Sequence, residues 1–115
     1  MTTLYGIKNC DSVKKAQKFL NANEHAYQFH DFVSQGLSEE TIDQWLEAAS
    51  WEVLLNKRST NFRALSDDDK QDIDQAKAKA LMLANPKLVK RPVLIGKQGI
   101  LVGFKAEQYQ AWLKA

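Results

Sequence analysis

The chain has 115 residues, 44% of them hydrophobic and 26% charged, the composition of a folded globular protein with enough length for one hydrophobic core. Sixteen Lys and Arg against fourteen Asp and Glu leave a net charge of +2, too even a balance to point to nucleic acid. One cysteine excludes an internal disulfide and a Cys-rich metal site, and His25 and His30 lack zinc-site spacing to Cys10, so no metal is expected. No apolar run approaches the ~18 residues of a membrane helix and no N-terminal processing pattern is present. The chain therefore reads as cytoplasmic, with no membrane partner.

In chain order, residues 2–7 read as a strand, with Leu4, Tyr5 and Ile7 apolar. Residues 12–22 read as a helix, with Val13, Ala16, Phe19 and Leu20 inward and Lys14, Lys15 and Lys18 outward. The turn between them, Lys8-Asn9-Cys10-Asp11-Ser12, holds the single cysteine. Asp11 or Ser12 is the expected N-cap. A cysteine there lies close to a helix N-terminus, whose free N–H groups and partial positive charge favour a thiolate, the nucleophilic form of the side chain. Lys8 adds a cation two residues before it. The competing reading of a lone cysteine is a small buried hydrophobe.

Residues 26–32 alternate and read as a second strand, which completes a βαβ unit, normally parallel and right-handed. Its strand C-termini share one edge of the sheet, where open α/β sheets bind ligands, and Cys10 belongs to that edge. His30 fits a packed or surface position better than a proton carrier. After the Gln35-Gly36 break, Ser38 caps a helix with Ile42, Trp45, Leu46 and Ala49 inward. Residues 51–55 read as a further helical turn and 56–65 as a polar, basic loop. Ser66 then caps one long helix with Ile73, Ala76, Ala80, Leu81 and Ala84 inward, stopped at Asn85-Pro86. Residues 93–95 and 100–102 form a hairpin across Gly96-Lys97-Gln98-Gly99. Residues 105–114 form a last helix that buries Tyr109, Trp112 and Leu113. The result is one α/β domain, a mixed four-stranded sheet with helices on both faces in the thioredoxin-like (glutaredoxin-like) arrangement, with a helical insertion over about residues 38–86.

Four segments resemble the arsenate-reductase-like family of ArsC, Spx and YffB relatives, and the YffB-type subgroup above all. They are YGIKNCDSVKKA around Cys10, YQFHDF in the second strand, LLNKRSTNFRAL in the middle, and KRPVLIGKQGILVGF across the hairpin. The resemblance implies Cys10 as nucleophile, Arg58 and Arg91 as anion-binding groups, and Pro92 as a cis-proline at the site. Guanidinium suits both roles, since its planar fork of donors matches carboxylates and tetrahedral oxyanions. The alternative for both arginines is solvated surface charge. Asn9 and Ser12 are candidates for donating to the sulfur or, alternatively, for shaping the turn.

Two departures qualify the resemblance. Redox-sensing members carry Cys-x-x-Cys, whereas Val13 stands at the second position here. Arsenate reductases proper carry an Arg after the glycine that ends the hairpin, whereas Phe104 follows Gly103. The expected function is a glutathione-dependent monothiol reductase. Glutathione would be a co-substrate rather than a bound cofactor, acting on a glutathionylated small molecule or protein, with glutaredoxin as a further candidate partner. Two alternatives are an arsenate reductase using glutathione or glutaredoxin, and an Spx-like regulator that binds RNA polymerase. A monomer is expected.

Overall fold

A computed structural model of the chain describes residues 2–115. In chain order the elements are β1 (Thr3–Gly6), α1 (Asp11–Ala22), β2 (Gln28–Asp31), α2 (Glu39–Ala48), α3 (Trp51–Leu54), α4 (Thr60–Arg63), α5 (Asp67–Lys70), α6 (Gln75–Ala84), a 3-10 turn (Pro86–Leu88), β3 (Val93–Gly96), β4 (Gly99–Val102) and α7 (Ala106–Lys114). The chain divides into two compact units, Met1–Gln35 with Arg91–Ala115, and Gly36–Lys90.

The first unit holds the whole sheet, in the order β2-β1-β3-β4. β1 pairs parallel with β2 and antiparallel with β3, and β3 pairs antiparallel with β4, so the sheet is mixed, as the element order predicts. The register sets Phe29, Leu4, Leu94 and Leu101 in one row, which places all four on the same face. That row packs with Ala16 and Leu20 of α1 and with Tyr109 and Trp112 of α7. Both helices of this unit therefore cover one face. Two glycines on that face admit them. A Cβ at Gly6 would lie 2.6 Å from Val13 Cγ2, and one at Gly96 2.7 Å from Trp112 Cζ2. Helix and strand approach more closely there than any side chain allows.

In the second unit Ser38 caps α2, its Oγ accepting from Thr41 N–H, and Ile42 and Trp45 are buried. Leu55 bridges Val89, Asn56 N–H donates to Leu88 O at 2.8 Å and Lys90 N–H donates to Leu54 O at 2.7 Å. Lys79 of α6 pairs with Glu39 and Asp43 of α2 at 2.7 and 2.8 Å.

Two sequence expectations fail in this unit. Residues 56–65 are not all loop: Ser59 caps the single turn α4, which buries Phe62. The long helix after Ser66 is two helices. Ser66 caps only α5, Asp72 takes φ 52°, and Asp74 caps α6. A left-handed residue ends the first helix, and the second starts in a different phase. It buries Ala78 and Met82, while Ala76, Ala80 and Ala84 are exposed.

Candidate functional site

The sheet edge at the C-terminal ends of β1 and β2 collects most of the residues singled out above. Gly6, the last residue of β1, lies opposite Asp31, the last of β2. β3 runs the other way, and its pairing Tyr5↔Val93 carries Pro92 to the position beside Gly6. The Pro92 carbonyl accepts from Gly103 N–H at 2.8 Å, which extends the row to the end of β4. The turn 7–10 leaves from this row, so Lys8, Asn9, Cys10, Ser12, Arg91 and Pro92 all belong to one end of one unit.

Cys10 is itself the N-cap of α1, with φ −124° and ψ 124°, which corrects the assignment of that role to Asp11 or Ser12. The strand stays extended through Cys10 and turns helical at Asp11. Asp11 therefore becomes the acidic residue of the first turn, where it suits the helix dipole. Cys10 makes no side-chain capping hydrogen bond. Its carbonyl accepts from Lys14 N–H at 3.0 Å, and its thiol is free and half-buried. The sulfur thus projects from the N-cap position, where the unpaired N–H groups of a helix converge. Lys8, Asn9 and Ser12 are exposed.

The Arg91–Pro92 peptide is cis. Pro92 is buried and Arg91 half-buried, and the Arg91 guanidinium makes no ion pair or hydrogen bond with a described residue. Arg58 belongs to the second unit, where it is exposed and its backbone N–H donates to Asn56 Oδ1. With Asn56, Lys57 and Lys90 it lines an open concavity of about 580 Å³.

Asp31 is a site residue that strand alternation hides. Its side chain is only 9% exposed, and its Oδ1 accepts from the backbone N–H of Val33 at 2.9 Å and of Ser34 at 3.2 Å. Burial pushes its pKa up, but those donors, the Lys8 backbone N–H and the Lys8 charge outweigh it and hold the carboxyl below its usual value. The carboxylate so fastens the end of β2 and reaches the turn that carries Cys10. The clue in the sequence is an acidic residue at the end of the short strand Gln28-Phe29-His30-Asp31.

His30 packs its ring 5.0 Å from that of Tyr5. Phe104 stands in an aromatic cluster, its ring 4.8 Å from Tyr109 and 5.9 Å from Phe19. Tyr109 O–H in turn donates to Gly103 O at 3.3 Å, and burial pushes the Tyr109 phenol up. At the position where the resemblance to arsenate reductases leads to a third arginine, this chain has an aromatic half-buried against its core. Among the described residues no cluster of His, Cys, Asp and Glu could hold a metal, and no helix is long and apolar enough to cross a membrane.

Solved structures similar to this chain include the YffB protein, 45% identical over 98% of this chain and 99% of that one, with a TM-score of 0.94. An arsenate reductase (ArsC) related protein from Brucella melitensis is 47% identical over 99% and 95% of the two chains, with a TM-score of 0.77. An uncharacterised protein of Haemophilus influenzae is 40% identical over 111 residues, 96% of this chain and 97% of that one. The fold is thus the thioredoxin-like α/β fold shared with these neighbours. With the ArsC family model matching residues 5–112, nearly the full length, the chain belongs to the ArsC family.

Proposed function

We propose that this protein is a thiol-dependent oxidoreductase, a glutathione-dependent monothiol reductase with Cys10 as its nucleophile. The observation that carries the reading is the half-buried free thiol at the N-cap of α1, on the same sheet edge as cis-Pro92 and the guanidinium of Arg91, which pairs with none of the described residues. The Cys10 thiolate attacks the glutathionyl sulfur of a mixed disulfide. That S–S bond breaks, Cys10 becomes glutathionylated, and the substrate leaves as a thiolate that takes up a proton. A second glutathione, as thiolate, attacks the Cys10-bound sulfur, which releases Cys10 and forms glutathione disulfide. The second thiol must come from outside, because the chain holds no other cysteine. Arg91 suits a glutathione carboxylate. Arg58 is a second anion-binding candidate, on the strength of the concavity it lines, where Lys57, Arg58 and Lys90 outnumber the one carboxylate, Glu52.

An arsenate substrate fits less well, because the third arginine is replaced by Phe104, half-buried against Tyr109 and Phe19. Losing one charge-assisted partner costs about 1.5–3 kcal/mol, roughly ten- to over a hundredfold in affinity. A regulatory role like that of Spx would lack the Cys-x-x-Cys switch, since Val13 is apolar and buried. Neither localisation nor oligomeric state enters the chemistry.

The experiment is incubation with oxidised glutathione followed by intact mass measurement. One glutathionyl adduct is expected on the wild type and none on Cys10→Ser. Arg91→Ala should keep the fold and raise the KM for glutathione by about tenfold or more. No adduct, with sluggish alkylation of Cys10, would overturn the enzyme reading. Arsenate proving a better substrate than mixed disulfides would overturn the substrate assignment.

A further inference from the structure

The overall charge of +2 conceals a segregation. The unit that bears Cys10 carries eight Lys and Arg against four Asp and Glu, and the other carries eight against ten. Asp31, one of the four acids, is buried and taken up by backbone donors. Lys14, Lys15 and Lys18 are exposed on α1, opposite its buried Val13, Ala16 and Leu20, and none of the three makes an ion pair with a described residue. The row begins one turn beyond the nucleophile, since Lys14 N–H donates to Cys10 O.

The helix itself gains little from the row. Asp11 and Lys15 are opposite charges at i, i+4, Lys14 and Lys18 are like charges at the same spacing, and each pair is worth only a few tenths of a kcal/mol, of opposite sign. No basic residue stands in the last turn of α1, where cations meet the helix dipole. Three exposed cations on one face are complementary to a negatively charged partner.

We infer that the α1 lysine face is a docking surface for acidic polypeptides that carry a glutathionylated cysteine. This deepens the reductase reading and rests on it. Lys18 lies eight residues beyond Cys10, about 12 Å along the helix, the span of several residues of extended polypeptide. A single small ligand held at Arg91 leaves that row unused. A nucleic acid would match its charge but offers no disulfide to the thiol at its end.

The test uses three glutathionylated peptides of equal length, with acidic, neutral or basic residues flanking the cysteine, and a small glutathione mixed disulfide as reference. The expected kcat/KM of the wild type favours the acidic over the basic peptide by about tenfold at low salt. The preference should contract to about twofold at high salt, because it is electrostatic. Lys14→Glu with Lys18→Glu should invert the order, chiefly through KM. Lys14→Gln with Lys18→Gln, which keeps helix-compatible side chains, should bring the ratio close to one. Equal turnover of all peptides, or an order unmoved by the substitutions, would overturn the docking surface and leave the reductase reading intact. Failure to reduce even the small mixed disulfide would overturn both. RNA binding through these lysines without peptide discrimination would assign the face to nucleic acid instead.

Discussion

Cys10 and Asp31 show how much a single side chain depends on the place the backbone gives it. A cysteine at an N-cap meets the open N–H groups of the first turn, and the same residue one turn later would be an ordinary helix position. Asp31 acts on the same turn from the neighbouring strand, through the Lys8 backbone. Its lowered pKa has a consequence for stability. The unfolded chain binds the proton at the ordinary value of 3.8, and the folded chain holds it only below that. The contribution is therefore fully present above the unfolded value and is lost as pH falls through the folded one. Asp31→Asn should lower stability at pH 7 by about 1–3 kcal/mol. The difference from wild type should shrink as pH falls below about 4. Urea unfolding at stepped pH checks this, and an undiminished difference at low pH would show that charge is not the cause. Alkylation of Cys10 in the same variant reports whether the turn has moved.

At the scale of elements, the contact between β1 and α1 sets where the N-terminus of that helix lies. Gly6 permits it, because a Cβ there would meet Val13 at 2.6 Å. Val13 is fully buried and β-branched, so it has little rotamer freedom with which to yield. Gly6→Ala should cost about 1–3 kcal/mol through overpacking and change the reactivity of Cys10, because α1 must shift. Denaturant midpoints and alkylation rates measured together check this. Loss of stability with unchanged reactivity would separate the strand–helix contact from the site. Phe104 illustrates the reverse relation. Its ring, with Phe19 and Tyr109, ties α1, the end of β4 and α7 together, so its role there is packing. The pairing of Lys79 with Glu39 and Asp43 joins α2 to α6, but its two carboxylates are largely exposed and such pairs contribute little.

At the scale of the whole molecule, charge is distributed by unit rather than evenly. The sequence pI of about 8.7 predicts retention on a cation exchanger at pH 7, and the lysine face of α1 predicts that retention depends on which charges are reversed. Lys14→Glu with Lys18→Glu should elute well before Arg63→Glu with Lys87→Glu, although both pairs change net charge equally. Coincident elution would indicate that the resin sees only net charge.

The local readings came from signals that act over a few residues. The strand–turn–helix around Cys10, the caps at Ser38 and Ser66 and the hairpin across Gly96-Lys97-Gln98-Gly99 are all visible in the order of side chains, because hydrogen bonds and periodicity along one segment decide them; the structure carries both strands one residue further, to Gly96 and Gly99. The four-stranded mixed sheet followed from the order of those segments. The break at Asp72 is not legible in the sequence, because a single residue in the left-handed region leaves little trace in hydrophobic pattern, yet it separates α5 from α6. Three features belong to tertiary structure alone: both helices of the sheet unit on one face, Asp31 reaching the Lys8 turn, and Arg91 left without a partner among the described residues. Each depends on residues far apart in the chain, brought into register by the pairing of β1 with both β2 and β3. Periodicity shows which side of an element is apolar, but only the packed sheet determines what that side meets.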